Sequence, residues 1–298
     1  MAHTDAQDLW DCLIVGGGPA GLTAAIYLAR YRRRVLVIDA GNSRAAQIPE
    51  THNHPGYKGI SGRALLARLA SQARQFGAVI SQDDVTLLQR KQDAFEALGS
   101  VGQYLARRVL MATGLTDRAP QFPGLAEAVA DAQIRYCPIC DGYEVMDQNI
   151  AVLGDGETVL QKARFLRTYS RRVTILPSRL SAAEPAHEPG ITVTSDTPQR
   201  FERTADGIVV ELTNGQRLTF EALYPALGCQ VHSDLATRLG ATAGDQGCLI
   251  VDSHQQTSVR GLYAAGDVVS DLHQIVVAEG HAAIAATAIH NSLPRNVR

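Results

Sequence analysis

The chain is short of charge of either single sign: 28 Lys and Arg face 30 Asp and Glu over 298 residues, a formal net charge of -2. So even a balance gives no global field to draw in nucleic acid or an anionic membrane surface, and neither is expected as a partner. Long apolar runs are missing too. No stretch reaches the roughly 20 residues that cross a bilayer, and the opening MAHTDAQDLWD holds no Lys or Arg ahead of a run of only strand length, which argues against a secretory leader. Cysteine is scarce and odd in number. Five, irregularly spaced, do not make the disulfide framework of a small secreted domain, so a cytoplasmic chain is expected. Low-complexity tracts are absent as well. What is present, 45% apolar residues and 26 glycines, suits compact α/β structure with room for two domains of ordinary size.

The organisation comes from a repeat. Residues 13–39, LIVGGGPAGLTAAIYLARYRRRVLVID, lie over residues 151–177, AVLGDGETVLQKARFLRTYSRRVTILP, without a gap and at a constant offset of 138 (154 − 16 and 177 − 39). In both, a short apolar run ends in Gly-x-Gly, a helix-period stretch follows, a basic pair closes it and a β-branched run begins, which predicts two β-α-β units. Such units bind dinucleotides because glycines allow a tight turn and close backbone approach, while the helix start offers free N–H groups to a pyrophosphate. In the first copy Gly16, Gly18 and Gly21 fill the G-x-G-x-x-G positions, and Asp39, 18 residues on (39 − 21), is placed to accept from a ribose.

The second copy departs from this. Gly154 and Gly156 remain, but Val159 takes the third glycine's place, where a branched side chain is expected to push the helix off the strand. Asp155 and Glu157 add negative charge where phosphate would sit. Pro177, at the selector position, offers neither carboxylate nor cation, with only Arg179 nearby. Two outcomes stand open here: a nucleotide site held by Gly154, Gly156 and Arg179, or a retained fold with weak or lost binding.

RYCPICDG, residues 135–142, sets Cys137 and Cys140 three positions apart, close enough in a helix or tight turn for a disulfide. Zinc would want a second pair at ligand spacing; Cys229 and Cys248 stand alone, and no metal is predicted. A static staple around so small a loop would stabilise little, which leaves redox use. Pro138 fixes φ and lacks an N–H, favouring a first helical turn at which the N-terminal thiol ionises more easily. Asp141 has two readings, a general acid–base for a departing thiol or a solvated turn residue before Gly142. Cys12, Cys229 and Cys248 read as buried small apolar residues. A dithiol beside a dinucleotide unit needs a carrier that takes electrons in pairs and can be attacked by a thiolate. A flavin does both, so FAD is expected on the first copy, its ribose on Asp39.

With those motifs in place, the chain resembles the bacterial-type, low-molecular-weight thioredoxin reductases over nearly its full length. GGGPAGLTAAIYLAR, HNHPG, MATG, YCPICDGYE and QQTSVRGLYAAGDV occur in that family's order and approximate spacing. The resemblance implies an α/β fold of two Rossmann-like dinucleotide-binding domains, the second inserted in the first. An FAD-binding domain would comprise residues 1–115 and 247–298, and an NAD(P)-binding-like domain carrying the cysteine pair residues 116–246. It also implies a homodimer. By the same resemblance, Gly16, Gly18, Ala20 and Gly21 hold the FAD pyrophosphate, Asp39 the ribose, and Asn53 a position near the flavin. Asp267 binds the ribityl or phosphate region, and His273 and Gln274 face the flavin where the family has Arg-Gln; the histidine makes charge there sensitive to pH. Cys140 becomes the sulfur toward the flavin and Cys137 the one that exchanges with a thioredoxin-like protein or a small dithiol or disulfide.

NADPH is the donor the resemblance implies, yet the second loop lacks the family's small third residue and basic cluster. Relatives lacking the same features oxidise small dithiols with oxygen, or draw electrons from a protein such as ferredoxin. A reading from another class is a non-catalytic flavoprotein that senses redox state.

Overall fold

The computed structural model describes residues 9–179, 189–269 and 272–297. Both repeat copies fold as β-α-β. In the first, β1 (Leu9–Val15) leads into α1 (Pro19–Arg30) and out through β2 (Val35–Asp39). Pro19 opens the helix where its missing N–H forfeits no intrahelical bond, and Arg30 lies in the last turn beside the carbonyl end. The amphipathic stretch after HNHPG forms α2 (Gly62–Gln75), capped by Ser61, whose Oγ accepts from the Ala64 N–H at 3.2 Å. There follow β3 (Val79–Gln82), β4 (Val85–Lys91), β5 (Ala94–Gly99), β6 (Gln103–Met111), β7 (Leu115–Asp117), α3 (Leu125–Ala130) and α4 (Pro138–Asp141). The second copy is β8 (Asn149–Gly154), α5 (Gly156–Leu166) and β9 (Arg172–Leu176). The chain continues through β10 (Ile191–Val193), β11 (Pro198–Thr204), β12 (Gly207–Leu212), β13 (Arg217–Phe220), β14 (Ala222–Ala226) and β15 (Cys229–Val231) to α6 (Asp234–Thr237), β16 (Leu262–Ala264) and α7 (Ile275–Ser292).

The repeat extends to strand register. Cys12 pairs with Val35 between β1 and β2, and Ile150 with Val173 between β8 and β9, each partner 138 residues on (150 − 12 and 173 − 35). Sheet order repeats as well: β3-β2-β1-β6-β5-β4, with β16 beside β6, against β10-β9-β8-β14. The strands that flank β1 and β8 on the side away from β2 and β9 end alike, β6 in MATG and β14 in PALG. β1 and β2 are apolar almost throughout, as parallel strands covered on both faces must be. The chain's one tryptophan, Trp10, lies on β1 with the Arg34 guanidinium 5.1 Å from its ring centre.

Two compact units result. One takes the described residues up to Ala46, then Ser61–Thr116, then the described residues from Gln230 on; the other takes Gln47–Ile60 and Asp117–Cys229. These limits differ from the expected 116–246. Residues 230–246 lie with the first unit because Ala236 and Ala241 are buried in its core beside Val109, Leu249 and Leu262. Gln47–Ile60 groups with the second, where His52 Nδ1 lies 2.9 Å from Glu144 Oε1. In the first unit, small residues let α1 and α7 pack closely: Ala24, Ala25, Ala282 and Ala285 are all fully buried in one cluster. Among the described residues no helix is long and apolar enough to cross a membrane.

Candidate functional site

In the first unit, the loop after β1 is shaped by glycines that nothing else could replace. Gly16 has φ +109, and a Cβ there would lie 2.2 Å from the Ala112 carbonyl oxygen; one on Gly21 would lie 1.9 Å from the Gly16 carbonyl oxygen. The first contact brings the loop against the end of β6, and the second brings the start of α1 against the loop. Gly18 is more open, with only Ser43 Oγ near, at 3.3 Å from such a Cβ. The start of α1 has no side-chain cap and no acid in its first turn, which leaves its leading amides, Ala20 and Gly21 among them, to an outside acceptor. Asp39 Oδ1 accepts from the Gly17 N–H at 3.2 Å and the Gly41 N–H at 3.0 Å. Its Oδ2 takes no hydrogen bond among the described residues. An uncapped, acid-free helix start beside a carboxylate with an open oxygen fits the pyrophosphate and ribose of a dinucleotide.

The strand end at AAGD comes to the same place. A Cβ on Gly266 (φ +80) would lie 2.9 Å from Ala20 Cβ and 3.5 Å from Ala278 Cβ, so the first turns of α1 and α7 meet at this glycine. Asp267 follows, its Oδ2 3.2 Å from Arg44 Nη1. Nothing in the sequence pattern singled out Arg44, which lies 223 positions from its partner. His273 is half-buried, and Gln274, just before α7, is buried with its Nε2 donating to the His273 carbonyl at 2.9 Å.

The cysteine pair lies in the second unit. Cys137 and Cys140 form a disulfide with Cα atoms 5.3 Å apart. Cys137 is the N-cap of α4 and Pro138 its first residue, as the sequence suggested; the Cys140 N–H points at Cys137 Sγ, 3.2 Å away. A donor at that sulfur favours its thiolate once the bond is reduced. Asp141 is no solvated turn residue. The Tyr224 hydroxyl donates to its Oδ1 at 2.8 Å, and Arg135 Nη1 lies 3.1 Å from its Oδ2. Burial raises the Asp141 pKa above the ordinary carboxylate value, against the opposing pull of Arg135 and Tyr224. Burial first, and then the Asp141 charge, push the Tyr224 hydroxyl strongly up.

Arg135, Tyr224, Glu144 and His52 were not singled out in the sequence, because only the fold brings them together. Glu144 Oε2 and Arg135 Nε are buried without a hydrogen-bond partner among the described residues. Asn53, expected near the flavin, falls in the Gln47–Ile60 segment of the second unit and accepts from Thr51 Oγ1 at 2.9 Å. Of the other cysteines, Cys12 and Cys248 are buried as expected, and burial drives the Cys12 thiol pKa far up. Cys229 is only half-buried, a correction: it opens β15, whose sole sheet neighbour among the described residues is β7. No group of three or more His, Cys, Asp or Glu that could hold a metal occurs among the described residues.

The second glycine loop repeats part of the first. A Cβ on Gly154 would lie 2.7 Å from the Ala226 carbonyl oxygen, as one on Gly16 meets Ala112. Beyond that the loops diverge. The N-cap of α5 is Asp155, whereas α1 is capped at Gly18, so the second helix starts one position earlier in the repeat frame. Val159 is buried against Val152, Ala163 and Val173. Gly156 has φ +72, and Arg179, exposed, follows the end of β9.

Comparison with known proteins bears on the whole chain. The family described as pyridine nucleotide-disulphide oxidoreductase matches residues 10–282. A thioredoxin reductase of Peptoclostridium acidaminophilum is 31% identical over 306 residues, covering 94% of this chain and 96% of the relative. One of Bacillus subtilis (strain 168) is 27% identical over 303 residues, covering 96% and 95%. The crystal structure of thioredoxin reductase from Streptococcus pyogenes MGAS5005 superposes with a TM-score of 0.89 at 27% identity, over 96% of this chain and 98% of that one.

Proposed function

The chain belongs to the bacterial-type thioredoxin reductases within the pyridine nucleotide-disulphide oxidoreductase family and is an oxidoreductase acting on a disulfide; from that premise we propose that it is an FAD-dependent dithiol–disulfide oxidoreductase whose working pair is Cys137 and Cys140. The observation that carries this reading is the Cys137–Cys140 disulfide followed by a largely buried carboxylate, Asp141.

FAD fits the first unit. Its pyrophosphate would lie against the amides at the start of α1, among Gly16, Gly18, Ala20 and Gly21, and its ribose on the open oxygen of Asp39. Asp267, held by Arg44, would take the ribityl or phosphate region, with His273 and Gln274 assigned to the ring by family analogy. When bound, FAD supplies the two-electron carrier that resets the cysteine pair.

The remaining steps belong to the chain itself. A partner thiolate attacks Cys137 Sγ, forming a mixed disulfide and breaking the Cys137–Cys140 bond. Cys140 departs and takes a proton from Asp141, whose burial keeps its proton bound to higher pH. The partner's second thiolate then attacks its own bridged sulfur and expels Cys137, which leaves as a thiolate facing the Cys140 N–H. The partner has lost two electrons and the pair has gained two; the same steps reversed reduce a partner disulfide. Family analogy makes that partner a thioredoxin-like protein or a small dithiol, and the assembly a homodimer in the cytoplasm.

Cys137→Ser and Cys140→Ser test the reading. Each variant should purify yellow and lose turnover with a dithiol or disulfide substrate by about a thousandfold or more, as removal of a nucleophile does. Full activity in either, or a colourless wild-type protein unable to take up FAD, would end the proposal.

A further inference from the structure

The second β-α-β motif has turned the acid of its nucleotide crevice around. In the first, the carboxylate comes from the strand: Asp39 ends β2 and reaches the amides of Gly17 in the loop and Gly41 beyond the strand. In the second, Pro177 stands in the place of Asp39 and Asp155 in the place of Gly17, each 138 residues on (177 − 39 and 155 − 17). Asp155 Oδ1 accepts from the Ser178 N–H at 3.0 Å and the Arg179 N–H at 3.3 Å, and its Oδ2 from the Ser178 hydroxyl. Arg179 is the counterpart of Gly41 at the same offset (179 − 41). One amide is thus served in both motifs, from the strand side in the first and from the loop side in the second.

The reversal matters because loop and strand end are the two walls between which an adenosine ribose and any 2′-phosphate lie. A site for that phosphate needs donors at the strand end aimed into the crevice. Here two amides and a hydroxyl at the strand end are already taken by a carboxylate. A phosphate arriving there would also meet it at like charge. Glu157 places another acid in the first turn of α5, paired with Arg164 at 3.1 Å, while α1 has none. The residues of this loop therefore do not fit NADPH. We infer that Asp155 is the specificity-determining residue that bars 2′-phosphorylated nicotinamide dinucleotides from the second unit, so that NADPH is not this enzyme's electron donor. The inference deepens the function proposed above and rests on it.

Calorimetric titration of NADPH into the FAD-loaded wild type, Asp155→Gly and Asp155→Asn, each checked by thermal melting, tests it. The wild type should show no saturable binding up to about 1 mM, the weak end of specific affinity. Asp155→Gly should bind at least about tenfold more tightly than that limit, with its flavin bleached anaerobically by NADPH. Asp155→Asn, which keeps an acceptor oxygen and loses the charge, should fall between them and carries the test if the glycine variant does not fold. Saturable binding or bleaching in the wild type overturns the inference, and so does a folded Asp155 variant that still ignores NADPH. Anaerobic bleaching of the wild type by a dithiol is the separate arm: its failure would count against the proposed function and leave the exclusion of NADPH standing.

Discussion

At Asp141, two neighbours work against burial. Desolvation favours the neutral acid, while the Arg135 cation and the Tyr224 hydroxyl favour the carboxylate, and burial prevails. An acid that protonates a departing sulfur acts in its protonated form, so the rate falls as pH rises through its pKa. Tyr224→Phe deletes a bond to the charged form; the pKa moves further up, and the alkaline limb of kcat/KM moves to higher pH. Asp141→Asn should remove that limb and lower the rate by about 10²–10⁴-fold, the usual worth of general acid–base catalysis. A pH–rate profile with a dithiol substrate reads both effects, and an unmoved limb in Tyr224→Phe would take Asp141 out of the proton's path. The pair and its following acid were legible in CPICDG. Tyr224 was not: it lies 83 positions away on β14, and no local pattern links a strand tyrosine to that acid.

Among the elements, the two β-α-β motifs invite a reciprocal exchange at their third glycine position. Gly21→Val would put a Cβ 1.9 Å from the Gly16 carbonyl oxygen, so α1 must move off β1 and its start must leave the phosphate position. Loss of bound flavin, read from visible absorbance, is the expected result, together with a stability loss of about 1–3 kcal/mol. Val159→Gly is expected to destabilise as well, by about 1.5–3 kcal/mol of lost burial and about 0.4 kcal/mol of helix propensity, since Val159 is in the core of the second unit. Denaturant titration checks it. A neutral result would mean that α5 stands clear of the sheet there. The motifs were legible because Gly-x-Gly and helix periodicity are local signals. The matched strand ends MATG and PALG escaped notice because their spacing (228 − 114) is not 138, the connections before β6 and β14 differing in length. The earlier start of α5 and the path of the Asp155 side chain are likewise not fixed by spacing alone.

For the molecule as a whole, a second unit was legible from the repeat and from the turn-rich stretch after MATG, and its insertion in the first was what the resemblance implied. Its far edge was not, because Ala236 and Ala241, which anchor residues 230–246 in the first core, look like any small residues in a loop. One consequence is optical. The sole indole of the chain, on β1, belongs to the first unit, so tryptophan emission is blind to the second and lies in the unit proposed to hold FAD, whose isoalloxazine would quench it by energy transfer. Added FAD at about 100 times its Kd contributes about 2.7 kcal/mol to whatever binds it. Heating should then show the emission-detected transition displaced upward while circular dichroism retains a second, undisplaced step; one common step, displaced entire, would mean the two units melt as one.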